Sequence, residues 1–190
     1  MNVYAPLLSA AQAYDELHLK IGIDTGRFLC DLAARHPRHF YIGIEIRQVA
    51  VDVAQERVRR RELRNVIVVR ADAEVFLSGW PTRGDVDAIH IYHPTPNPRT
   101  VGLDHQLINR VFVADCGRVI RAWGTLRLIT DDEEYFSRAM HCFDTRTWWS
   151  IDWVYEDLAR QRHSFVGSPT ELDYRGRGAT IHAAHFLRRA

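Results

Sequence analysis

Cysteine is scarce in this sequence: Cys30, Cys116 and Cys142 are the three in 190 residues. Their odd number, wide spacing and lack of any C-x-x-C pair argue against a disulfide framework or a zinc ribbon, and fit a reducing cytoplasm. Long apolar runs are missing too, since nothing approaches the ~20 consecutive apolar residues of a membrane span. The opening stretch MNVYAPLLSAAQAYDELHLK lacks the basic start and apolar run of a secretory signal. These absences predict a soluble, cytoplasmic protein with no membrane partner. Neither sign of charge is in excess: 25 Lys+Arg stand against 24 Asp+Glu, for a net charge of +1. That balance removes both the broadly basic surface of a nucleic-acid binder and the acidic excess of a disordered chain, and leaves only local patches.

The composition that remains is ordinary for a globular protein, 46% hydrophobic and 26% charged, and suffices for one sizeable core. Short β-like runs alternate with helical ones: LHLKIGI then GRFLCDLAARH, FYIGIEI then VAVDVAQERVRRREL, NVIVVRA then AEVFLSGW, DAIHIYH then LDHQLINRVFVADCGRVIR, GTLRLIT then EEYFSRAMHCF. Such alternation predicts an α/β fold with a mostly parallel sheet covered by helices on both faces. In the second helix Val51, Ala54 and Val58 form an i, i+3, i+7 stripe, surrounded by Arg57, Arg59, Arg60, Arg61 and Arg64. After about residue 145 the pattern changes. TWWSIDWVYEDLARQ reads as a Trp-rich helix, and SFVGSPTEL with ATIHAAHFLRR as an antiparallel strand pair. Residues 1–190 therefore read as one domain: an N-terminal segment 1–18, an alternating core 19–145, and a C-terminal helix and strand pair 146–190.

Open parallel sheets bind ligands at the carboxyl ends of their strands. The first such end is KIGIDTGRFL, where Gly22 and Gly26 flank a strand-to-helix turn that lets backbone approach a ligand. Glu45 follows Gly22 by 23 residues at the end of YIGIEI, a spacing that suits a carboxylate accepting the hydroxyls of a ribose. Asp72, in VVRADAEVF after the third strand, would then lie along the adenine of the same nucleoside. Together the three features point to nucleoside binding more specifically than any one of them.

At these residues the chain resembles the class I S-adenosylmethionine-dependent methyltransferases, and within them the tRNA (guanine-N7)-methyltransferases. The resemblance runs from about Leu19 to Arg188. IGIDTGRFLCDLA is similar to that family's E-I-G-x-G-x-G-x-F-L, YIGIEI to F-I-G-I-E, and LITDDEEYFSRAM to T-D-x-x-x-Y-x-x-x-M. SPTELDYRGRG is similar to T-x-x-E-x-R-G, and IYHPTPNPR falls where the family has F-F-P-D-P-W-P-K. The resemblance implies a Rossmann-like seven-stranded sheet with its last two strands antiparallel, and residues 19–145 as a donor-binding core. It implies S-adenosylmethionine as cosubstrate, S-adenosylhomocysteine as product, and no metal. The donor would lie on Gly22, Asp24, Gly26, Glu45, Ile46, Asp72, Ala73 and Tyr92. The stiff segment of Pro94, Pro96 and Pro98 would wall the acceptor pocket, with Asn97, Arg99, Thr130, Tyr135, Thr170 and Asp173 lining it, and His93, Thr95 and Asp131 acting in catalysis.

Departures from that pattern carry information as well. Thr95 and Asn97 stand where the family has Asp and Trp, so the acceptor wall has lost an acid and a large ring. RTVGLDHQLIN replaces a dense basic run, which weakens the case for phosphate contacts. These changes favour a small nitrogen-heterocyclic acceptor, with tRNA as the alternative substrate and a donor- or partner-binding protein without catalysis as the third reading. Lys20 replaces a Glu and Asp24 a Gly, an exchange expected to be compensating, with Asp24 paired to Lys20 or to the donor's ammonium. The arginine helix ERVRRREL reads as a solvated face rather than a phosphate patch. His182 and His185 of HAAH fall on opposite faces of a strand and are not expected to share a metal. His93 is either a positioning imidazole or a structural one. Trp148, Trp149 and Trp153 read as packing the final helix, and Cys30 and Cys142 as core thiols.

Overall fold

The expected β and α runs assemble around one sheet in a computed structural model, which describes residues 4–94, 106–143, 149–155, 176 and 179–190. Strands β1 (Glu16–Ile21), β2 (His39–Glu45), β3 (Val66–Arg70), β4 (Val86–Tyr92), β5 (Ile120–Thr130), β6 (Trp149–Tyr155) and β7 (His182–Arg188) lie in the order β3-β2-β1-β4-β5-β7-β6. The first five pair in parallel. β7 inserts between β5 and β6, antiparallel to both. Helices α1 (Tyr4–Ala11), α2 (Arg27–Arg35), α3 (Gln48–Arg60), α4 (Ala73–Ser78), α5 (Arg110–Val119) and α6 (Glu133–Met140) complete the layers.

Among the central strands β2 reads as a nearly unbroken apolar run because both of its faces are covered, whereas β1 alternates its leucines with Glu16, His18 and Lys20. One face of β1 sends Leu17, Leu19 and Ile21 into the larger core with residues of α1, α4, α5 and α6. A second core joins Leu29 and Ala33 of α2 and Val51 and Ala54 of α3 to Tyr41, Val66 and Val68. Alternation puts Glu16, His18 and Lys20 on the face of β1 opposite its leucines. Side chains of Asp72, Asn109 and Asp132 cap α4, α5 and α6 by accepting hydrogen bonds from first-turn N–H groups.

Three expectations differ from the structure. β1 begins at Glu16, so a boundary at residue 19 would cut through a strand, and the segment before it contains α1, whose Tyr4 ring packs on Phe76 and Trp80. The predicted Trp-rich helix begins as strand β6, with Trp149 buried against Phe143 and Phe186. A spacing of four residues between Trp149 and Trp153 satisfies a helix and a strand equally, and the density of Trp, Ile, Val and Tyr favours the pleated sheet. ATIHAAHFLRR instead pairs antiparallel with this strand and with β5; SFVGSPTEL lies outside the described residues.

Candidate functional site

The turn after β1 adopts left-handed conformations at Gly22 (φ 65°), Asp24 (φ 48°) and Gly26 (φ 71°). The two glycines serve different ends. A Cβ on Gly22 would meet nothing within 4 Å, so the chain there borders open space. A Cβ on Gly26 would lie 2.7 Å from the Ala54 Cβ, so Gly26 lets α2 approach α3. Arg57 of α3 braces the same turn by donating to the Thr25 carbonyl at 2.6 Å.

Glu45 closes β2 as a buried carboxylate. Its Oε2 accepts from the Asp24 N–H (3.0 Å), while Oε1 accepts from the N–H groups of Ile46 (3.1 Å) and Arg47 (3.0 Å) and from Arg47 Nε (3.1 Å). A carboxylate offers about four lone-pair sites, two on each oxygen. Oε1 is saturated and Oε2 retains room, which suits a ribose hydroxyl. Arg47 also donates to Asp24 Oδ1 at 2.7 Å. The expected pairing of Asp24 with Lys20 is thus replaced by one with Arg47, a residue that the sequence reading missed although it lies two positions beyond Glu45. Partial burial opposes ionisation of Asp24, but the bonds from Arg47 and Thr25 outweigh it and hold its carboxyl below the usual range.

Lys20 runs beneath the turn. Its Nζ donates to the carbonyls of Ile21 (3.0 Å) and Gly22 (3.4 Å) and sits 4.6 Å from the centroid of the Tyr92 ring. Burial pushes its pKa down to about 7 against the opposing pull of Glu45. The end of β3 is tied to this row by the bond from the Ala71 N–H to the Glu45 carbonyl (3.0 Å). Asp72, which follows, accepts from the N–H groups of Glu74 and Val75, and Ala73 opens α4. Ile46 is exposed beside Glu45. The strand ends therefore bring Gly22, Asp24, Glu45, Ile46, Asp72 and Ala73 into one row, with Tyr92 at the end of β4.

Farther along that row, His93 (φ 48°) follows β4 and its Nδ1 lies 2.8 Å from Asp131 Oδ1, just past β5. Pro94 follows His93, whereas Thr95, Asn97, Arg99, Thr170 and Asp173 lie outside the described residues. Thr130 is buried and its Oγ1 accepts from the Asp132 N–H (3.1 Å), so it shapes the turn. Tyr135 does not face a pocket. It is fully buried in the larger core and its hydroxyl accepts from the Ile108 N–H at 3.3 Å, because the Asp132 cap sets α6 with this position inward. Arginines at the end of α3 and just beyond it are engaged: Arg59 and Arg60 with Glu56, Arg61 with Asp31. On β7, His182 stacks on Phe136 while His185 pairs with Asp152, on alternate faces as expected.

Comparison with known proteins gives this arrangement a family. The tRNA (guanine-N(7)-)-methyltransferase of Thermotoga maritima is 28% identical over 142 residues, which cover 75% of this chain and 45% of that protein. The protein of the same name from Leifsonia xyli subsp. xyli is 33% identical over 127 residues, 66% of this chain and 56% of its own. The chain thus spans about half the length of these relatives. Among solved structures, the aminoglycoside resistance methyltransferase NpmB1 superposes with a TM-score of 0.65 at 14% identity, covering 99% of this chain and 94% of its own. An rRNA methylase from Streptococcus thermophilus gives 0.62 at 10%, covering 100% and 98%. These likenesses show the class I S-adenosylmethionine-dependent methyltransferase fold. Residues 15–182 match the model of the family described as "Putative methyltransferase", and the chain belongs to that family.

Proposed function

We propose that the chain is an S-adenosylmethionine-dependent methyltransferase acting on a ring nitrogen, and that its acceptor is guanine N7 of a tRNA. The observation that carries the donor half is the row at the strand ends: an open left-handed Gly22 beside a buried Glu45 whose Oε2 has room for a hydroxyl. S-adenosylmethionine supplies an activated methyl group when bound. Gly22 and the turn that follows it would hold its amino-acid end, Glu45 its ribose, and Asp72 and Ala73 its base. The acceptor half is supported by the names of the sequence relatives.

Guanine N7 has a free lone pair, so the N–C bond forms as the C–S bond breaks, the electron pair stays on sulfur, and no proton moves. The ring gains positive charge. Thr95 cannot offset that charge, but Asp131 can, since its carboxylate is 33% exposed at the end of β5 and held by His93. Positioning supplies much of the remaining rate.

A small nitrogen heterocycle is the second reading. It rests on Thr95 and Asn97 and on the engagement of Arg59, Arg60 and Arg61 with acids, which leaves little of the end of α3 for phosphates. Incubation with methyl-labelled donor against bulk unmodified tRNA and, separately, a small-molecule extract distinguishes the two. Label at guanine N7 of tRNA is the expected result, and label confined to the extract transfers the assignment to the small acceptor. Donor binding without transfer to either fraction would leave a binding protein, and a chain that binds no donor by calorimetry removes the methyltransferase reading altogether.

A further inference from the structure

We propose that Glu16, His18 and His39 form a binding site for one divalent transition-metal ion of the zinc class, at the amino-terminal end of the sheet. One ligand atom from each of the three can be chosen so that all lie within 4.8 Å of one another. Glu16 Oε2 is 2.7 Å from His18 Nε2 and 3.3 Å from His39 Nδ1. Ligands about 2.0–2.2 Å from a tetrahedral zinc stand roughly 3.3 Å apart, so the cluster needs only small side-chain shifts to close on an ion. The strands preset it. Glu16 and His18 share one face of β1 by the two-residue alternation, and the register sets His39 directly opposite Glu16 on β2.

The surroundings fit a metal better than a plain ion pair. His39 Nδ1 is buried and makes no hydrogen bond, although it lies 3.3 Å from the Glu16 carboxylate. His18 Nδ1 lies 3.0 Å from His90 Nε2, and His90 Nδ1 lies 3.2 Å from the Tyr92 hydroxyl. With its proton on Nδ1, His18 donates to His90 and turns the Nε2 lone pair to the cluster, the outer-shell arrangement that orients metal-binding imidazoles. Three acceptors then converge, and a cation is what satisfies them together. The opposite proton order, Tyr92 to His90 to His18 to Glu16, satisfies that chain without an ion but leaves His39 Nδ1 unpaired. His36 stacks on His39 with ring centroids 5.2 Å apart and helps fix that ring. The Glu16 and His39 side chains are 38% and 26% exposed, which gives an ion a way in and a water a fourth position.

Glu16 is separated from Gly22 by the whole of β1, roughly 20 Å at 3.3 Å per residue. The ion therefore clamps β1 to β2 and takes no part in methyl transfer, so the site stands or falls independently of the donor reading. The test uses the full chain, stripped with chelator, loaded with Zn2+ and dialysed into metal-free buffer. The expected result is one Zn2+ per chain by elemental analysis, with the affinity weakened roughly tenfold or more in both His39→Asn and Glu16→Gln, and unchanged in His185→Asn. Zn2+ raises the Tm of the parent chain and leaves that of His39→Asn in place; Glu16→Gln, at a partly exposed carboxylate, serves if the histidine variant does not fold. A parent chain that retains no zinc, or variants that retain as much as it does, would overturn the site.

Discussion

Lys20 is a cation placed where water cannot reach it, and its titration should be visible in the stability of the whole chain. Its pKa of about 7 lies well below the usual 10.5. Below pH 7 the lysine is charged in both folded and unfolded states, and the full cost of burying that charge is present. Between about 7 and 10.5 the unfolded chain holds the proton that the folded chain has released, so stability rises with pH across that window. At 1.36 kcal/mol per pH unit the span is worth roughly 4–5 kcal/mol. Lys20→Met is expected to be more stable than the parent at pH 6 and to lose that advantage by pH 10, as measured by urea unfolding at each pH. Equal pH profiles for the two proteins would show that the lysine is hydrated. Asp131 makes a second case at this scale. Asp131→Asn should lower kcat about tenfold to a hundredfold with donor affinity unchanged in calorimetry, because it removes charge needed only as the ring becomes positive. A matching loss of donor affinity would mean that Asp131 shapes the site instead.

Spacing alone placed Gly22, Glu45 and Asp72 at or just past the ends of β1, β2 and β3, because apolar runs mark well where strands stop. Contacts made sideways were not legible. Arg47 bridges Glu45 and Asp24 across a turn, and no period predicts which of several arginines will do so. Tyr135 follows a motif of the resembling family, yet the cap at Asp132 turns it into the core. The cluster of Glu16, His18 and His39 joins residues from two strands, and only the register places them together.

At the scale of elements, α2 and α3 meet closely enough that one hydrogen atom on Gly26 matters. Gly26→Ala combines a left-handed backbone with a methyl 2.7 Å from the Ala54 Cβ. The two penalties together should cost about 2–4 kcal/mol and lower Tm by roughly 5–15 °C in a thermal scan. Gly22→Ala meets no neighbour and should lose only the left-handed backbone penalty of about 1–2 kcal/mol, with its larger effect on donor affinity. If the two variants were destabilised equally, the helix contact would not be the cause. The elements also show where period fails as a guide. α3 was legible because Val51, Ala54 and Val58 leave no strand alternative, whereas Trp149 and Trp153 obey both periods, and β6 emerged only through its pairing with β7. Of the expected acceptor wall between β4 and α5, Thr95, Asn97 and Arg99 lie outside the described residues.

Taken whole, the molecule is a sheet whose carboxyl edge carries the proposed methyl-transfer row and whose opposite end carries the proposed metal clamp. No helix among the described residues is long and apolar enough to cross a membrane. The chain's last strand does not extend the sheet but enters it, with β5 on one side and β6 on the other, and its Ala183, Ala184 and Phe186 are fully buried. While the protein is being synthesised, β5 and β6 must therefore wait with bare edges until residues 182–188 leave the ribosome. Exposed strand edges invite pairing with other chains. The same insertion that locks the finished sheet thus leaves the β5 and β6 edges of the nascent one without their β7 partner until residues 182–188 emerge.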